Sequence, residues 1–89
     1  MASRDVEISN RLGLHARAAA RFVHTASSFA SHIQIERDGQ QVDGKSILGL
    51  LLLAATQGAR LRITAEGDDA EDAVSTLCTL VEDHFGERS

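Results

Sequence analysis

Within residues 12–22, LGLHARAAARF, His15 and Arg17 stand two positions apart at the head of an alanine-rich run. Such a run favours helix, which would bring His15 to a helix N-terminus. The first turn of a helix has backbone N–H groups without helical partners. With the helix dipole these make an anion site, and phosphate is a typical occupant. The same field disfavours a protonated ring, so His15 is expected to be neutral and nucleophilic. Arg17 adds a fixed cation whose planar donor fork suits phosphoryl oxygens. A nucleophile, a cradle of backbone amides at Ala16, Arg17 and Ala18, and an arginine together suit a histidine that accepts a phosphoryl group. That chemistry asks mainly for positioning and charge stabilisation. The plainer alternative is a loop or capping histidine, and a motif as short as HAR does not decide between them.

The elements that must hold this cluster follow from periodicity. Val6 and Ile8 alternate with Glu7 and Ser9, which predicts a half-buried strand over residues 4–9. Residues 10–14 form a loop with Gly13. Over residues 16–27 the spacing turns helical, with Ala19, Phe22, Val23 and Ala26 on one face and Arg17, Arg21 and His24 away from it. Residues 31–37 alternate again, and Asp38-Gly39 predicts a two-residue hairpin turn into a short strand over 40–43. Ser46 is placed to cap a helix over 47–54, with Gly58 as its stop. Residues 59–67 predict a fourth strand with Leu61, Ile63 and Ala65 inward. A last helix over 68–86 opens with Asp68, Asp69, Glu71 and Asp72, which suit its positive end. Its apolar stripe is Ala70, Ala73, Val74, Leu77, Leu80 and Val81. The order β-α-β-β-α-β-α, with one apolar face per element, predicts an α+β domain over 1–89, helices on one side of a mixed or antiparallel sheet.

Composition narrows the function classes. The chain has 89 residues, 43% hydrophobic and 25% charged, as in an ordinary globular domain. A net charge of -4 with no basic block argues against a nucleic-acid surface and an anionic membrane. The only cysteine, Cys78, borders the last apolar stripe and reads as packing; it permits no internal disulfide. The opening MASRDVEIS has no signal-peptide core, and the apolar run 47–55 is too short to span a bilayer, so the expected location is the cytoplasm. His24, His32 and His84 fall on different elements in no ligand spacing, so no metal is expected, and His84 is accounted for by the end of the last helix. The run ILGLLLL is too apolar for one helix face. Leu50 and Leu53 point one way while Leu48 and Leu52 point nearly opposite, which predicts an exposed apolar patch and therefore a partner site.

GLHARAA (13–19), GKSILGLLLLAATQG (44–58) and ITAEG (63–67) ahead of an acid-headed helix together resemble the HPr family, the histidine-containing phosphocarriers of the bacterial phosphotransferase system. The resemblance covers roughly residues 4–85. It implies an open-faced β-sandwich, three helices on a four-stranded antiparallel sheet. It implies that His15 takes a phosphoryl group on Nδ1 from phospho-enzyme I and passes it to an enzyme IIA domain, with Arg17 on the phosphate side and no cofactor on the protein itself. Such a protein is a stoichiometric carrier and not a turnover enzyme, and it is expected to be a monomer. It further implies docking through Ile47, Leu48, Leu51 and Leu52 beside Arg17, Ala20 and Arg21, and regulatory phosphorylation of Ser46 by HPr kinase. The chain departs from the family at Ala18, where proline is usual; alanine keeps the helix and loosens its entry. Two rivals stay open. One is a nitrogen-related or regulatory HPr-like protein acting through phosphorylation-dependent binding. The other is a small α+β interaction module without covalent chemistry.

Overall fold

The computed structural model describes residues 1–88. Its elements are β1 (Ala2–Glu7), α1 (Ala16–Ala26), β2 (His32–Arg37), β3 (Gln40–Asp43), α2 (Ile47–Leu52), β4 (Arg60–Glu66) and α3 (Ala70–Glu82), with a 3-10 turn at His84–Gly86. The strands form one antiparallel sheet in the order β1-β4-β2-β3. This is the expected α+β open-faced sandwich. Val6 pairs with Leu61, and Ile35 with both Ile63 and Val42, so the alternating apolar residues fall on one face. Against that face α1 and α3 bring Phe22, Ala26, Leu77 and Val81, all buried. Asp38 (φ 50) and Gly39 (φ 85) are both left-handed, the pair of conformations that a tight hairpin between β2 and β3 requires.

Several boundaries differ from the periodic reading, each for a local reason. Strand β1 starts at Ala2 and ends at Glu7, although Ile8 continues inward and donates its N–H to the Ala59 carbonyl at 2.8 Å. Helix α2 stops at Leu52 and not at 54. Ala54 turns left-handed (φ 50), and Arg37 Nη1 donates to the Leu53 and Ala54 carbonyls at 2.7 and 3.1 Å, satisfying the orphan acceptors of the helix end. Gly58 belongs instead to the turn before β4. Helix α3 ends at Glu82 and not at 86, because the backbone leaves helical geometry two residues further on. His84 and Phe85 are then both left-handed (φ 56 and 54), so His84 lies beyond the helix and not in its last turn. Asp69 does not cap α3 with its side chain. It accepts instead from the Ala30 N–H (2.8 Å), the Ser31 N–H (2.9 Å) and the Ser31 hydroxyl, which ties the loop after α1 to the start of α3. Val23 and Leu80 are half-buried, whereas Ala18 and Cys78 are wholly buried. Burial pushes the Cys78 thiol up, consistent with a packing role.

The leucine run divides as the helical angle requires: Leu50 and Leu53 are 1% and 3% exposed, Leu48 and Leu52 are 76% and 69% exposed. Leu50→Ala should therefore cost about 2–5 kcal/mol in chemical denaturation, whereas Leu48→Ala should stay within about 0.5 kcal/mol of native. Equal losses at the two positions would contradict this division of α2.

Candidate functional site

The site is built where the loop 10–14 enters α1. Gly13 is left-handed (φ 69), and a Cβ on it would come 2.6 Å from the Ala55 carbonyl, so only glycine fits the approach. The neighbouring Leu14 N–H donates to that carbonyl at 2.9 Å, fixing the loop to the segment after α2. Buried Asn10 closes the turn by donating from Nδ2 to the Gly13 carbonyl at 2.8 Å.

His15 is the N-cap of α1. Its backbone is extended (φ -78, ψ 178), and its ring Nδ1 accepts the Arg17 backbone N–H at 3.3 Å. The helix therefore begins on a ring nitrogen where a hydroxyl or carboxylate oxygen is more usual. No acidic residue occupies the first turn of α1, so nothing there competes for its amides. Ala16 and Arg17 are exposed around the ring, and Ala18 contributes backbone while its methyl is buried. No carboxylate among the described residues pairs with Arg17. His15 and the three residues expected at the phosphate cradle, Ala16, Arg17 and Ala18, thus share one helix turn, with Ala16 and Arg17 open to solvent.

The opposite ring edge has a partner that the sequence did not reveal. His15 Nε2 is hydrogen-bonded to Glu87 Oε2, and Glu87 Oε1 accepts from Asn10 Nδ2 at 2.9 Å. Glu87 lies 72 residues away in sequence, so no local signal could have found it. Burial opposes the Glu87 charge, but hydrogen bonds from His15 and Asn10 and the nearby Arg21 guanidinium outweigh it and hold the carboxyl below its ordinary value. An Nδ1 that accepts an amide proton and an Nε2 that faces a carboxylate assign the proton to Nε2 and leave the lone pair on Nδ1.

Helix α2 lies against α1. Ser46 caps it, its hydroxyl accepting the Gly49 N–H at 3.1 Å, and Ile47, Leu48, Leu51 and Leu52 are exposed. On α1, Arg17, Ala20 and Arg21 are exposed and line a groove of about 350 Å³ with Leu80. Arg21 is less free than expected, because its Nη1 donates to the Phe85 carbonyl. Leu12, 68% exposed and absent from the expected docking set, adds apolar surface near the site. His24 and His32 are exposed, and among the described residues no group of His, Cys, Asp and Glu could hold a metal ion. Among those residues no helix is long and apolar enough to cross a membrane.

A family model described as the PTS HPr component phosphorylation site matches residues 2–83. The chain belongs to the HPr family. It is 42% identical to the phosphocarrier protein HPr of Cupriavidus necator over 87 residues, 98% of each chain. It is likewise 42% identical to the HPr-like protein Crh of Halalkalibacterium halodurans over 82 residues, 92% of this chain and 98% of Crh. Among solved structures, HPr-C-His from Thermoanaerobacter tengcongensis superposes with a TM-score of 0.96 at 47% identity over the whole of both chains.

The HPr fold here adds a carboxylate to the histidine, with a defined acid response. The ordinary value for Glu87 is 4.5 and its folded value lies lower, so the ionised carboxylate contributes stability that is present above 4.5 and fades as pH falls through the folded value. Carboxyl NMR titration should place the Glu87 midpoint below 4.5, with its hydrogen bond to His15 broken on the acid side; a midpoint at or above 4.5 would contradict the hold on this carboxylate.

Proposed function

We propose that the protein is a phosphocarrier of the phosphotransferase system, a cytoplasmic relay that accepts a phosphoryl group on His15 Nδ1 from phospho-enzyme I and delivers it to an enzyme IIA domain. The observation that carries this reading is the placement of the Nδ1 lone pair on the open first turn of α1, beside Arg17, which no carboxylate among the described residues pairs. In the forward step the Nδ1 lone pair forms the N–P bond while the N–P bond of the donor phosphohistidine breaks and its electron pair returns to the donor ring. Nδ1 carries no proton and has none to release, and Nε2 keeps its own. The Arg17 N–H that Nδ1 held at rest is then free to donate to a phosphoryl oxygen, and the Arg17 side chain lies within the same turn to offset its charge. Delivery reverses the step, with the electron pair returning to Nδ1. The carrier works as a monomer, since the α1–α2 face must open to two partners in turn. Ile47, Leu48, Leu51 and Leu52 with Arg17, Ala20 and Arg21 form its docking surface, an apolar patch edged by cations.

Ser46 is the proposed brake. A phosphoserine adds about -1.5 to -2 charges at the edge of that patch, where it meets the acidic partner surface that Arg17 and Arg21 would attract. A second reading, a regulatory HPr-like protein acting through phosphorylation-dependent binding, is supported by the likeness to Crh.

With enzyme I, magnesium and phosphoenolpyruvate, intact mass should show one acid-labile phosphoryl group on the native chain and none on His15→Ala, with Arg17→Ala slowed about 10- to 100-fold. An adduct that survives in His15→Ala would overturn the assignment. For Ser46, loss of the cap in Ser46→Ala should cost about 1 kcal/mol in denaturation without slowing uptake. Ser46→Asp, which keeps a capping oxygen, should stay near native in stability but slow uptake about tenfold or more. Unslowed uptake by Ser46→Asp would remove the brake.

A further inference from the structure

We infer that Glu87 is a positioning residue for phosphoryl transfer: its carboxylate, aimed by buried Asn10, holds the His15 ring with the proton on Nε2 and so presents Nδ1 as the nucleophile. This rests on the phosphoacceptor reading of His15.

Glu87 is not an incidental tail residue. Its side chain is only 15% exposed, and both carboxylate oxygens are engaged, Oε2 by His15 Nε2 and Oε1 by Asn10 Nδ2 at 2.9 Å. The backbone is brought to this place by three further ties. Phe85 is wholly buried, its carbonyl accepts from Arg21 Nη1, and the Glu87 N–H donates to the His84 carbonyl at 2.8 Å. The two left-handed residues at 84 and 85 turn the chain back toward the loop 10–14. Asn10 is also wholly buried, and both partners of its Nδ2 are acceptors, which sets the orientation of the amide. Its Oδ1 then has no hydrogen-bond partner among the described residues. An orphaned buried acceptor is unfavourable for stability, so Asn10 is better explained by aiming Glu87 than by supporting the fold alone.

The chemical consequence follows from the ring. A free neutral imidazole divides its proton between two nitrogens, and only the form protonated at Nε2 has a nucleophilic Nδ1. A carboxylate on the Nε2 edge selects that form, as outer partners of histidine do where a ring must present one nitrogen. When Nδ1 attacks the donor phosphohistidine and the donor N–P bond breaks, positive charge develops on the His15 ring and is shared with Nε2–H. Glu87 faces that charge from the edge remote from the phosphoryl group, so it stabilises the ring without sitting on the side the dianion enters.

The test uses the full chain. In the native protein, ¹⁵N NMR of the His15 ring at neutral pH should show the Nε2–H form. Glu87→Ala should admit the Nδ1–H tautomer beside the Nε2–H form and take up the phosphoryl group from enzyme I about tenfold more slowly, while staying folded with a small loss of thermal stability. Glu87→Gln fills the same space but cannot accept both hydrogen bonds, and is expected to be slowed as well. Uptake by Glu87→Ala within about twofold of native, or slowing with an unaltered tautomer, overturns the proposal. A native chain that takes up no phosphoryl group overturns the phosphoacceptor reading instead; the tautomer, read without any partner protein, still decides whether Glu87 sets the ring.

Discussion

Helix α1 begins on a ring nitrogen. The hydrogen bond from the Arg17 amide to His15 Nδ1 satisfies one of the donors that every helix start leaves open, and it places a lone pair where those donors converge. Much of the surrounding structure serves this one contact. Gly13 lets the loop approach Ala55 closely, the Leu14 amide locks it there, and the same tie sets α2 beside α1. A cap built on serine or aspartate would satisfy the helix equally well, but it would offer no nitrogen to phosphorylate. Under the proposed function, the structural and the chemical demands on residue 15 coincide in one atom.

The second constraint is the small size of the domain. Six-residue α2 carries five large apolar side chains, and its core-facing side takes Leu50 alone as a fully buried anchor. The remaining apolar surface has nowhere to go within the fold, and it lies next to the His15 turn. Exposure that is unfavourable for an isolated protein is what a carrier needs if two larger partners are to cover it in alternation. The acidic balance of the chain as a whole does not extend to this face, where Arg17 and Arg21 stand at its margin.

Much of this was legible in the sequence because it is local. The alternation in Val6 and Ile8, the Asp38-Gly39 turn, and the helical spacing of Phe22 and Ala26 each encode one element within a few residues. The GLHARAA motif placed His15 at the head of α1 for the same reason. What stayed hidden depends on distant parts of the chain. Arg37 ends α2 by reaching its carbonyls from β2, so no pattern within the leucine run marks the stop. Asp69 reads as one of the acids that suit the positive start of the last helix; its three donors come from the loop after α1. The sequence predicts a last helix through 86, but Phe85 reaches the core through a left-handed turn. Glu87 was invisible for the same reason: its partners, Asn10 and His15, meet it only after the chain has closed.

The central claim is that His15 presents Nδ1, and that the phosphoryl group is carried there while Nε2 keeps its proton. The most direct measurement is ¹⁵N–³¹P coupling in the ring of the phosphorylated, ¹⁵N-labelled protein. Coupling of phosphorus directly to Nδ1, with the proton retained on Nε2, is the predicted result. Phosphorus bonded to Nε2 would contradict the account, because it would require Glu87 to be displaced and leave the Arg17 amide on the wrong edge of the ring.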